Sequence, residues 1–248
     1  MDSIGDVKNN IRTYWNERSR SFDEDVGHGA DEAECQMWKQ HLSEIIGTGR
    51  KQVLDVGTGT GMLAINLAEL GHEATGIDLC DNMLELAKNK AASKGLAIPF
   101  IPGDAEEPAF PDNTFDCVIC RHLLWTLPHP DKAVSEWARV CRPGGVVIAI
   151  DGHQEPKEYF NLSEEKTESE KSDREKLWEQ TYSKEVTTHL PDGNQLTIGS
   201  LKELFAEKGI GDVQAKNLQD IAEYHQNLHP GNAHEGHHEV NIIWGRVQ

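Results

Sequence analysis

A short apolar run, Val53-Leu54-Asp55-Val56, leads straight into three alternate glycines, Gly57, Gly59 and Gly61, and an apolar helical segment starts directly behind them. No other feature constrains the fold of this chain as tightly. Glycine permits backbone angles that other residues resist and leaves no side chain between the chain and a ligand. A strand feeding such a turn and then a helix opens a βαβ unit, and open α/β sheets bind nucleotides at the carboxyl ends of such strands.

The rhythm around that loop agrees with it. Strand signals fall at 51–57, 73–78, 98–104, the start of 115–125 and 146–151, and helix signals at 62–71, 81–95 and 130–141. Strands separated by helices of this length indicate a mostly parallel sheet. Two helices are predicted ahead of it, over 8–22 and over 34–46, the second with Met37, Trp38, Leu42 and Ile45 at helical spacing. After Gly152 the rhythm breaks. Residues 164–185 are polar and charge-rich, with only Leu177, Trp178 and Tyr182 to bury, and read as an insertion or flexible cap. A helix at 200–209 and strands at 212–218 and 239–247 follow, with a histidine-rich loop predicted over 225–239. The expected architecture is one α/β domain, a Rossmann-like, mostly parallel seven-stranded sheet with helices on both faces. Its parts are N-terminal helices (1–50), a cofactor-binding core (51–151), a substrate-side insertion (152–199) that forms a cap with the N-terminal helices, and a C-terminal helix and strands (200–248).

Composition narrows the partners. Forty-two acidic against 24 basic residues give a formal charge of −18, a field that repels phosphate backbones and anionic lipid, so nucleic acid and membranes are not expected partners. No apolar run approaches the roughly 20 residues that cross a bilayer. The first residues, MDSIGDVKNN, resemble neither a secretory signal nor a transit peptide, so cytoplasmic residence is expected. Five scattered cysteines argue against a disulfide framework. Cys117 and Cys120 form a C-x-x-C, but inside a predicted strand, where side chains three apart point to opposite faces.

Two cofactor classes compete for the glycine loop. A dinucleotide site wants G-x-G-x-x-G, and counting from Gly57 the third glycine falls on Met62. The pattern present, Asp55-x-Gly57-x-Gly59-x-Gly61, resembles motif I of the class I S-adenosylmethionine-dependent methyltransferases. The resemblance continues in order through Asp78 at the end of the second strand, Gly103-Asp104-Ala105 after the third, Phe115 to Cys120 as the fourth-strand motif, and Arg142-Pro143-Gly144-Gly145 before the fifth. It implies S-adenosyl-L-methionine as cofactor, cradled by Asp55, Gly57, Thr58, Gly59 and Gly61. It also implies ribose hydroxyls on Asp78, adenine packed by Leu79 and Met83, and the adenine amino group received by Asp104 between Gly103 and Ala105. The backbone near Arg121 would hold the methionine end. Tyr14-Trp15-Asn16-Glu17-Arg18 with Phe22-Asp23, and His122 through Pro128, are similar to the ubiquinone/menaquinone-biosynthesis-like group, whose members mostly act on small molecules.

On that reading the methyl group moves by in-line displacement to a small-molecule acceptor through an O, N, S or C atom. Tyr14, Trp15 and Trp125 are candidates for an aromatic wall by the sulfonium, Tyr14 against the cofactor and the two tryptophans against the acceptor; core packing is their alternative. His122 and His153, after the fourth and fifth strands, are candidate bases, or else structural hydrogen-bonding groups. The segment from His225 offers a substrate-side loop, and His234, His237 and His238 within it a possible metal site. A non-catalytic cofactor- or metal-binding protein on the same scaffold and a protein methyltransferase remain alternatives, and the chain is expected as a monomer or homodimer.

Overall fold

The computed structural model of the chain describes residues 4–24, 31–151, 171–228 and 239–248. It opens with helix α1 (Ile4–Arg18), a 3₁₀ turn (Ser19–Glu24) and helix α2 (Glu32–Ile46). The helix predicted to run to residue 22 tightens at Ser19, whose hydroxyl bonds back to Asn16 O (2.7 Å), a local bond that competes with helix continuation. At the other boundary Asp31 accepts from Glu34 N (3.0 Å) and starts α2 earlier than the apolar spacing alone predicts.

The alternating core follows as β1 (Gln52–Val56), α3 (Met62–Glu69), β2 (Glu73–Asp78), α4 (Asp81–Ser93), β3 (Phe100–Pro102), β4 (Phe115–Arg121), α5 (Pro130–Val140) and β5 (Cys141–Ile150). Beyond it lie α6 (Asp173–Thr181), α7 (Lys184–Thr187), α8 (Ile198–Glu207), β6 (Ile210–Asn217), α9 (Gln219–Leu228) and β7 (Asn241–Val247). The seven strands form one sheet in the order β3-β2-β1-β4-β5-β7-β6, and β7 alone runs antiparallel to its neighbours. Strand order therefore reverses between β1 and β4, which opens a crevice outside their carboxyl ends.

Period-two alternation divides the core. Val53, Cys117, Ile119 and Ile148 face α2, α3, α4 and α9, while Leu54, Val118, Cys120 and Val147 face α5 and α8. The C-x-x-C thus splits between the two faces, and all five cysteines are free and buried. Arg142 to Gly145, expected as a turn into a strand at 146, lies inside β5 as a bulge. Phe115 pairs with Cys141 and Cys117 already with Val146, with Gly144 at φ +77° absorbing the extra residues.

Gly76 in β2 shows how tightly the sheet meets its neighbours. A Cβ there would lie 2.6 Å from Phe100 Cδ1 and 2.7 Å from Thr58 Oγ1. Phe100 is buried and Thr58 is bonded to Asp55, so neither yields easily. Gly76→Ala is expected to lose about 1–3 kcal/mol of stability by overpacking, read in chemical denaturation; unchanged stability would contradict the packing described.

The predicted cap is present in part. Val7, Ile11 and Tyr14 of α1 form a third apolar cluster with Tyr182, Val186 and Leu190. Its helix α6 starts in the charge-rich stretch through a capping box, Ser172 with Glu175. The histidine-rich segment differs from expectation at its start: residues 219–228 are α9, with Ile221 and Ala222 on the core, so His225 sits on a helix rather than in a loop. His153, His234, His237 and His238 lie outside the described residues. Among the described residues, no helix is long and apolar enough to cross a membrane and no three metal-binding side chains converge.

Candidate active site

The glycine loop is held by one carboxylate. Thr58 Oγ1 donates to Asp55 Oδ2 at 2.6 Å, and Ala64 N, in the first turn of α3, donates to the same oxygen at 3.1 Å. Gly57, Gly59 and Gly61 take φ of +65°, +53° and +85°, the left-handed region where a side chain is strained. Burial pushes the Asp55 carboxyl up to about 7, against the Thr58 and Ala64 bonds that favour its charged form.

A second carboxylate closes the loop from β2. Asp78 Oδ2 accepts from Gly59 N (2.9 Å) and Oδ1 from Cys80 N (2.9 Å). Burial raises its pKa, and these two backbone bonds oppose the rise. An ionised carboxylate has about four acceptor positions, so two backbone donors leave Asp78 able to accept from a neighbouring pair of hydroxyls. The donor set fits a ribose.

Both carboxylates border a cavity of about 460 Å³ at the β1–β4 crevice. Its floor comprises Gly57, Thr58 and Gly59 of the loop, Leu79 and Met83 beyond Asp78, and Gly103 and Ala105 after β3. Arg121 and His122 border it at the end of β4, and Tyr14, Trp15 and Trp125 above. Three sequence candidates stand elsewhere. Gly61 caps α3, where a Cβ would lie 2.9 Å from Ala87 Cβ, so it serves helix packing. Asp104 is not among the lining residues: Lys8 Nζ holds its Oδ2 at 2.6 Å and Glu106 N its Oδ1 at 2.9 Å. His225 is buried against α2, where its Nε2 donates to Glu34 Oε1 at 3.1 Å, and does not border the cavity.

That last contact belongs to a network absent from any sequence motif. Trp38 Nε1 donates to Glu34 Oε1 (3.0 Å), and the Arg121 guanidinium lies 5.1 Å from the centre of the Trp38 ring. Burial works against the Glu34 charge, but His225, Trp38 and the field of Arg121 hold its pKa below the usual value. Burial brings Arg121 down to about 10, while Glu34 and Asp55 favour its charge. His225→Ala is therefore expected to cost about 1–3 kcal/mol of stability by removing a partner of a buried carboxylate, and to leave acceptor KM unchanged. A raised KM with unchanged stability would return His225 to the substrate side.

The roof is aromatic. Trp15 meets Tyr14, Phe22 and Trp125 at ring separations of 5.0, 5.9 and 6.1 Å, and Trp178 lies 5.8 Å from Trp125 and 4.3 Å from Tyr182. Trp15 Nε1 donates to the Tyr182 hydroxyl at 3.1 Å. Helix α1 and the turn behind it are tied down by polar contacts: Lys8 to Asp104 and Glu106 (2.6 and 2.7 Å), Arg12 to Asp81 (2.5 Å) and Asp23 to Lys90 (2.5 Å), the last two on α4. His122 stands between floor and roof at φ +51°, a strained angle for a histidine, with its N–H on Ile150 O (3.1 Å).

Residues 54–149 match the family described as methyltransferase domain. Demethylmenaquinone methyltransferase of Thermus thermophilus is 38% identical over 114 residues, 45% of this chain and 52% of that protein. Phosphatidylethanolamine N-methyltransferase of Cereibacter sphaeroides is 42% identical over 102 residues, 40% of this chain and 50% of that protein. This chain spans about half the length of the curated relatives it matches. In fold, the chain resembles phosphoethanolamine N-methyltransferase 2 of Haemonchus contortus (TM-score 0.66, 18% identity, 100% of this chain and 60% of that one).

Proposed function

We propose that the chain binds S-adenosyl-L-methionine in this crevice and transfers its methyl group to a small-molecule acceptor. The observation that carries the reading is the pairing of Asp55 and Asp78 around one glycine loop, both bordering a cavity that Tyr14, Trp15 and Trp125 also line. When bound, the cofactor would supply a sulfonium-activated methyl group, so the methyl itself needs no further activation by the protein.

What remains for the chain is holding, orienting and drying. Asp78 accepts from the ribose, Leu79 and Met83 pack the adenine between Gly103 and Ala105, and Gly57 to Gly59 allow close backbone approach. We assign no adenine contact to the Asp104 carboxylate while Lys8 occupies it. Tyr14, Trp15 and Trp125 exclude water and present ring faces to positive charge, worth on the order of 1 kcal/mol each. Fixing the acceptor in line contributes more, roughly 7–11 kcal/mol in favourable cases.

His122 is the base we assign, because it borders the chamber and is held at φ +51° beyond the end of β4. His122→Ala is expected to lower turnover roughly tenfold with a thiol acceptor, a few per cent of which is already ionised near neutral pH. Unaltered turnover would remove His122 from this role. The reading as a whole is tested by calorimetric titration of S-adenosylmethionine and S-adenosylhomocysteine. Binding of both supports it, and an acceptor screen over thiols, phenols and amines follows; binding of neither refutes it.

A further inference from the structure

After β3, Gly103 and Ala105 border the cavity, while the Asp104 between them does not; Lys8 borders it as well. Lys8 reaches this wall from α1, where its neighbour Val7 and Ile11 one turn on are buried in the apolar cluster with Tyr182, Val186 and Leu190. Lys8 Nζ lies 2.6 Å from Asp104 Oδ2 and 2.7 Å from Glu106 Oε2. Both carboxylates are themselves fixed. Glu106 is 1% exposed, and its Oε1 accepts from His129 N at 2.7 Å while Oε2 lies 3.2 Å from His129 Nδ1. Asp104 Oδ1 accepts from Glu106 N at 2.9 Å. The ammonium is thus held on two sides by groups that cannot follow it elsewhere.

An ammonium carries three N–H donors and no acceptor. Among the described residues two carboxylates take two of them, so a third donor remains on a side chain that borders the cavity. The Lys8 side chain is only 19% exposed, and a donor withdrawn from water is costly to leave unmet. A ligand that brings an acceptor to this wall is therefore favoured. Adenine does so, because its edge carries ring nitrogens as acceptors beside an amino donor. With Asp104 turned to Lys8, this wall presents a donor to the base, and the amino group is not the atom it selects. The carboxylates also balance the ammonium charge, so a neutral base meets a fixed hydrogen-bond donor rather than a bare cation.

We propose that Lys8 reads the base of the nucleoside cofactor by donating its third N–H to a ring nitrogen, with Asp104 and Glu106 as its positioning residues. The inference rests on the proposed methyl-transfer reading, which supplies the nucleoside.

Calorimetry with S-adenosylhomocysteine and its 1-deaza, 3-deaza and 7-deaza analogues, each lacking one ring nitrogen, tests it on the unaltered chain, Lys8→Met and Lys8→Gln. Methionine keeps the apolar stem and removes every donor. Glutamine has two N–H donors, enough for the two carboxylates and none for the base, so it spares buried Glu106 an empty partner and serves if the methionine variant does not fold. In the unaltered chain one analogue is expected to bind about tenfold more weakly than S-adenosylhomocysteine, the size of one hydrogen bond to a charged group. That preference is expected to shrink to within about twofold of unity in both variants. Each ratio is internal to one protein, so partial unfolding does not mimic the effect. If all three ratios in the folded variants stay within about twofold of their unaltered values, the proposal is overturned, whether or not overall affinity drops; a uniform drop is what a packing role for Lys8 produces. Failure of S-adenosylhomocysteine to bind the unaltered chain refutes the methyl-transfer reading and the inference with it. Binding with unmoved ratios removes the inference alone.

Discussion

Asp78→Ala is expected to weaken binding of S-adenosylmethionine and S-adenosylhomocysteine about 100-fold while the chain stays folded. The carboxylate sits at the carboxyl end of β2 with one oxygen on Gly59 N and the other on Cys80 N. Hydrogen bonds to a charged acceptor contribute about 1.5–3 kcal/mol each. Two of them from a ribose, less the water that replaces them in the variant, amount to roughly 3 kcal/mol, or two decades in affinity. The backbone donors left behind border the cavity, where water can satisfy them, so the fold loses little. Asp78→Asn keeps an acceptor oxygen but sets an N–H₂ against one hydroxyl, and is expected to lie between, about tenfold down. Calorimetry reads both. Affinity unchanged in the alanine variant would remove Asp78 from the cofactor site.

Asp55→Asn tests the buried side of the same loop, with an effect that changes with pH. Burial raises the Asp55 pKa to about 7 in the folded chain from an ordinary 3.8. The native state therefore holds its proton more tightly than the unfolded state does. Between those two values, stability from this group falls as pH rises, and above about 7 the loss is complete. From pH 5 to pH 8 the unaltered chain should lose roughly 3 kcal/mol on this account. An asparagine does not titrate, and its oxygen still accepts from Ala64 N or Thr58 Oγ1. The stability difference between variant and unaltered chain is thus expected to move by roughly 3 kcal/mol in favour of the variant across that range. Urea denaturation at the two pH values measures it, and a difference independent of pH would show that Asp55 does not titrate there.

Much of the floor is legible in the amino-acid sequence, because its parts are local. Asp55, Gly57, Thr58 and Gly59 lie within five consecutive positions at a strand end, and Asp78 with Leu79 and Met83 repeats that arrangement at the next strand. In each case strand, turn and helix are adjacent in sequence, so spacing implies placement. Asp104 shows where this stops. Its position after β3 is local, but its partner Lys8 comes from α1, 96 residues away, and takes the carboxylate oxygen that the motif alone would leave to a ligand. His225 stands away from the cavity for the same reason: its partner Glu34 is 191 residues away, and the apolar positions Ile221 and Ala222 turn the segment into a core helix.

The sequence by itself determined the alternating α/β plan, the glycine loop and the two carboxylates that brace it, since hydrophobic period and turn chemistry act over a few residues. The tertiary structure alone decided the roof. Trp15 finds Tyr182 across 167 residues, and Glu34, Trp38 and His225 gather behind Arg121. Such pairings depend on how the ends of the chain fold back over the sheet, and no short-range pattern records which distant side chain will stand opposite.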